Sequence, residues 1–132
     1  MNDQVQRRDR GSASVGLMLL VVIAIAGGGL IFDGSRYLAA ERHASNTAEA
    51  AARAAVETGS PSEGLREAEA RQAAISRAES AGVSASDVAV SFPSRDTVVV
   101  TITERRPTTF IRFGGASTII ATAEGRARLE YS

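Results

Sequence analysis

Residues 11–32 read GSASVGLMLLVVIAIAGGGLIF, 22 residues without a charged side chain. Wound as an α-helix, such a run is about 33 Å long at ~1.5 Å per residue, against a bilayer hydrocarbon core of about 30 Å. A chain of 132 residues has little room to bury a helix that is apolar on every side. The run therefore predicts one transmembrane helix over 11–32, and this assignment organises the rest of the chain. A cleaved signal peptide is the rival reading. Ala24-Ile25-Ala26 has the small-x-small form of a signal-peptidase site behind the apolar stretch 13–23. The apolar character that continues through Leu30, Ile31 and Phe32 favours the anchor.

The flanks set an orientation. Arg7, Arg8 and Arg10 precede the run, with Asp9 among them, and only Arg36 and Arg42 follow at similar distance. Three arginines against two, plus the terminal amine, predict a cytoplasmic tail over 1–10 and an exported part over 33–132. Gly27-Gly28-Gly29 inside the run admits two readings. Small residues spaced as Ala24 and Gly28 let a second helix approach closely. Alternatively, the glycines let the helix bend as it moves between lipid and an assembly. The first reading is favoured.

Composition excludes several classes. Lys+Arg and Asp+Glu both number 15, for a net charge of zero, so nucleic acid is not an expected partner. The absence of cysteine removes disulfides, thiolate metal sites and cysteine nucleophiles, and a single histidine, His43, removes multi-histidine cages. All the basic residues are arginine, which reads as coding bias rather than chemistry.

Beyond the anchor the pattern turns amphipathic. Asp33-Gly34-Ser35 is either a turn or the polar edge of one continuous helix. A helix over about 35–58 follows, with Tyr37, Ala40, Ala44, Ala48, Ala51 and Ala55 at three- and four-residue steps. Glu49 and Arg53 form a favourable i,i+4 pair, and His43 falls on the polar side as a solvated residue. An alanine face suits close approach of another helix or a sheet over length rather than a thick core. Thr58-Gly59 ends this helix. Ser60 as cap, Pro61 at the first helical position and Glu63 completing a capping box predict a second helix over about 61–81, stopped by Gly82, with Leu65, Ala68, Ile75 and Ala78 inward.

After Gly82 the period changes to two. Strands are expected at about 87–92, 97–104 and 118–131, with a turn at 93–96. Val98, Val100 and Ile102 share one face of the second. In the third, Ile119, Ala121, Ala123, Ala127, Leu129 and Tyr131 alternate with Ile120, Thr122, Glu124, Arg126, Arg128 and Glu130, and Gly125 marks a bulge or a close backbone approach. The connector 106–115 holds Phe110 and Phe113 beside arginines, which reads as two anchoring phenylalanines in a helical turn or further strand, and also suits a membrane surface. The fold class is α+β: a transmembrane helix leading into amphipathic helices, then an antiparallel sheet of about three strands.

Catalytic chemistry is missing. No G-x-S-x-G elbow is present, and one histidine leaves little scope for a triad. Glu63, Glu67 and Glu69 read as capping and solvating acids near a helix start. Gly27-Gly28-Gly29 lies in the apolar run and Gly114-Gly115 precedes a strand, so neither is a phosphate loop. No catalytic, cofactor or metal site is expected.

The stretch from Arg10 to Ala55 resembles the N-terminal region of TadE/TadG-like proteins, the pilin-like membrane proteins of Flp-type (tight-adherence) pilus assembly. The resemblance rests on Arg10-Gly11-Ser12 before the apolar run, Asp33-Gly34-Ser35-Arg36-Tyr37-Leu38-Ala39 at its exit, and the alanine-rich helix 46–55, in the family's order and spacing. It implies a cytoplasmic (inner) membrane anchor, an exported domain, and a non-catalytic role as minor pilin-like or assembly subunit of a pilus or related secretion apparatus. It also implies processing after a glycine, which would fall between Gly11 and Ser12. Prepilin-like members carry a glutamate at the fifth mature position, where this chain has Gly16, so the glutamate-lacking TadG-like branch fits better. Expected partners are membrane lipid, other pilus or secretion subunits, and further copies of the chain. The helix-association candidates are Ala24, Gly28, Ala44, Ala48, Ala51 and Ala55. An alternative is an anchored or secreted binding module unrelated to pili, using the sheet edge or the 110–113 segment as its contact surface.

Overall fold

The computed structural model describes residues 3–109, 111–115 and 117–130. Helix α1 runs from Asp3 to Val56 without interruption, 54 residues and about 81 Å at ~1.5 Å per residue. The turn considered at 33–35 is absent, and the polar-edge reading holds. Within an apolar medium no water competes for the backbone, so glycines that would weaken a helix in water leave it intact. At the exit the Ser35 hydroxyl donates to the Phe32 carbonyl at 2.7 Å, a local bond compatible with helix.

Helix α2 runs from Glu67 to Ser80 and packs against the C-terminal half of α1. Its start differs from the capping-box expectation, and the reason is local. The Glu63 amide donates to the Ser60 hydroxyl at 3.2 Å as that signal requires, but the bond closes a turn in which Ser60 and Gly64 bridge. Gly64 then takes φ 78°, outside any right-handed helix, so α2 starts only at Glu67. The inward face shifts accordingly. Ala70, Ala74 and Ala78 are buried, Ile75 is half-buried and Ala68 is exposed. At the far end Gly82 takes φ 86° while the Val83 amide donates to Ala78 at 3.1 Å, a left-handed glycine stop.

Three strands form one antiparallel sheet in the order β1-β2-β3: β1 Val88–Ser94, β2 Thr97–Pro107 and β3 Thr118–Arg128. Asp87 belongs to a short 3-10 turn rather than to β1. Pro93 lies inside β1, where the register shifts between Ser91 and Ser94, as suits an edge strand that can lose one donor. The β1–β2 turn is thus only Arg95-Asp96. β2 is longer than expected because its ladder to β3 continues to Pro107↔Thr118. β3 is shorter, because its pairing ends at Thr97↔Arg128 and the next amide, Leu129, bonds instead to the Asp96 carbonyl at 2.7 Å. Tyr131 and Phe110 lie outside the described residues.

The core sits between the sheet and two helices. Val98, Val100 and Ile102 of β2 are fully buried against Ala44, Ala48, Ala51, Ala52 and Ala55 of α1, with Ala70, Ala74 and Ala78 of α2 completing the cluster. Gly125 settles the choice left open for it. The β2–β3 register is unbroken through Val100↔Gly125, so no bulge exists there. A Cβ at this position would run into the backbone of Ala48 and Glu49, so glycine is needed because β3 lies directly on the α1 main chain.

Candidate functional site

The two halves of α1 differ in what covers them. Val15, Met18, Leu20, Ile23, Ile25, Leu30 and Ile31 all stand exposed, at 62–75% of their full surface. This is far more contiguous apolar surface than a soluble monomer presents, and it lies on a helix long and apolar enough to cross a bilayer. Ala24 and Gly28 are on this bare portion, and nothing in the chain comes within 4 Å of a Cβ placed at Gly28. Gly11 and Ser12 are also exposed, within the helix. The other four association candidates lie elsewhere. Ala44, Ala48, Ala51 and Ala55 are completely buried under α2 and the sheet, where they join elements of this chain.

The boundary between the halves is built around Asp33. Its side chain is fully buried, and its two carboxylate oxygens accept the backbone amides of Thr109 at 3.2 Å and Ile111 at 2.7 Å. Three residues on, the Arg36 guanidinium donates to the Thr109 hydroxyl at 3.0 Å and lies 5.4 Å over the Phe32 ring. The loop after β2, which contains a 3-10 turn over Ile111–Gly114, is thereby fastened to the first polar turn of α1. Sequence reasoning read 33–35 as a turn or the polar edge of a continuous helix and missed this role. A signal was present: a carboxylate at the end of an apolar run is costly unless donors meet it. Which donors meet it depends on a contact 76 to 78 residues away.

About two turns beyond Arg36 along α1 lies a polar cluster. His43 is half-buried rather than freely solvated, with Nδ1 3.1 Å from Glu104 Oε1 on β2. Glu104 also accepts from Arg106 at 2.7 Å. Arg36, Ala39, Ala40, His43 and Arg106 line an open cleft of about 380 Å³. On the rim of the sheet Arg105 pairs with Asp87. At the opposite end Asp96 accepts from Ser94, Thr97 and Arg128; the Ser94 hydroxyl, then Arg128 and Thr97, lower its carboxyl from 3.8 to about 2. These groups hold elements together. Among the described residues no three metal-ligating side chains gather at one point.

The family model for Flp pilus-assembly TadE/G-like proteins (Tad) matches residues 11–89, from the start of the apolar run to the beginning of β1. The chain belongs to the Tad family. The match covers the bare half of α1, Asp33, the alanine face and α2, and ends before the loop residues that meet Asp33. No curated protein and no solved structure matches the chain.

Proposed function

We propose that this Tad-family chain is a non-catalytic, single-pass subunit of a Flp-type pilus or related secretion apparatus. Residues 11–32 anchor it in the cytoplasmic membrane, with 1–10 inside and 33–132 exported. The observation that supports this best is the unbroken passage of α1 from a bare apolar half into a half packed under a small head. A folded head provides no reason for the bare half to exist in water, whereas lipid does. Ala24 and Gly28 are uncovered small residues at four-residue spacing on the anchor, a pattern that suits close approach of another helix in the membrane. Other subunits and further copies of the chain are the partners in view. Processing between Gly11 and Ser12 would leave the anchor whole.

A photo-crosslinker at Ala24 or Gly28, in cells expressing the full assembly system, tests the reading. Adducts with another pilus-assembly subunit or a second copy are expected. Recovery of free monomer alone would overturn the subunit role. Full-length chain in the detergent-free soluble fraction would overturn the anchor itself. Mass spectrometry of the native N-terminus decides the Gly11–Ser12 cleavage.

A further inference from the structure

The β2–β3 connection sits where the membrane reading would put the bilayer surface, and this placement follows from contacts along α1. β2 descends the helix: Glu104 meets His43, the Pro107 carbonyl meets Arg36, and Thr109 and Ile111 meet Asp33. Each step down the strand is a step toward Phe32, the last residue of the charge-free run. The hairpin tip therefore ends level with the hydrocarbon boundary, within the polar layer some 5–7 Å deep on each face of a bilayer.

The chemistry of the tip suits that layer. From residue 105 to 123 the sequence RRPTTFIRFGGASTIIATA has three arginines and no acid; Arg105 and Arg106 face Asp87 and Glu104, and Arg112 lies in the turn itself. Ile120, near the base of the tip, is 57% exposed, and Arg112 is exposed within the 3-10 turn. The turn has a defined shape, closed by the Gly115 amide donating to Arg112 at 3.1 Å with Gly115 at φ 98°. Basic side chains interleaved with apolar ones suit the headgroup layer of a membrane face that contains anionic lipid.

We propose that the β2–β3 tip is a second membrane contact, lying in the headgroup layer beside the helix and held there by the Asp33 carboxylate. The occupant of this surface is anionic phospholipid. The inference rests on the reading that residues 11–32 span the bilayer. With two contacts the head cannot swing about the anchor, and its sheet stands along the membrane normal.

The absence of native cysteine allows single labels in the full-length chain. An environment-sensitive fluorophore is placed in turn at Leu20→Cys, Gly114→Cys and Ser62→Cys, and the protein is reconstituted in phosphatidylcholine–phosphatidylglycerol vesicles. Leu20 and Gly114 are exposed, and a Cβ at Gly114 meets nothing within 4 Å; Ser62 is exposed in the turn beyond the far end of α1. Quenchers sit on the lipid at the chain centre or near the headgroup. The expected result is deep quenching at 20, shallow quenching with a blue-shifted emission at 114, and neither at 62. Adding Asp33→Ala should abolish the shallow quenching at 114 while leaving 20 unchanged. Quenching at 20 without any at 114 overturns this inference and leaves the anchor standing. No quenching at 20 overturns the anchor and the inference with it. Quenching at 62 overturns the upright geometry, and quenching at 114 unaffected by Asp33→Ala overturns the role of Asp33.

Discussion

α1 is one helix in two environments. Its apolar half presents large side chains to its surroundings, while from Ala40 to Ala55 it buries nothing larger than Thr47. The size difference follows from what each half must meet. Lipid is a fluid that accommodates bulky Leu, Ile and Val, so hydrophobicity alone decides there. A neighbouring strand is rigid, so the contact is decided by how closely backbones approach, and alanine with glycine permits the closest approach. The anchor half is tolerant of shape and intolerant of charge. The packed half is the reverse.

Several substitutions would break or sharpen this contrast. The largest effect is expected for Gly125→Ala, because the added methyl meets the Ala48 and Glu49 main chain rather than a movable side chain. A loss of at least ~3 kcal/mol of head stability, the upper end for overpacking, should appear in chemical denaturation in detergent. Leu20→Arg should cost about 3 kcal/mol of insertion and move full-length chain out of the membrane fraction, while Leu20→Ala at the same place should leave it there. Asp33→Ala leaves the Thr109 and Ile111 amides without their carboxylate, and about 2 kcal/mol of head stability should go with it. On the exposed face Arg53 and Glu49 lie 3.4 Å apart, and Glu49→Ala should change stability by only ~0.3 kcal/mol, within the error of most melts.

Acid should also distinguish the halves. The folded Asp96 carboxyl is depressed to about 2 from 3.8, so the unfolded chain takes up its proton first. Its contribution is complete above about pH 4 and fades as pH falls toward 2. A denaturation series across that window should show the head weakening, with Asp96→Asn flattening the dependence. Partition of the uncharged anchor into lipid should not move over the same range.

The anchor, the β2 core face and the α+β class were legible in the sequence because each is a property of one segment. A charge-free run of 22 residues needs no partner to be recognised, and Val98, Val100 and Ile102 alternate whatever they face. What escaped was set by contacts between segments. Ser60, Pro61 and Glu63 carry a sound helix-start signal, and Gly64 at φ 78° diverts it into a turn. Ala52, Ala70 and Ala74 are buried because α2 crosses α1 where it does, and alanine is too common in this chain to reveal which copies face inward. Asp33 looked like the polar end of a greasy stretch until a loop more than 75 residues later supplied its donors.

The lack of any break in α1 ties the azimuth of the head to the anchor. A helix keeps phase: each residue turns it by about 100° and advances it ~1.5 Å. Whichever side of the rod Ala24 and Gly28 offer to a neighbour, the sheet's compass bearing follows from a count of the intervening residues. One amino acid inserted between Gly28 and Phe32 would leave both the Ala24–Gly28 face and the head intact and point them in different directions.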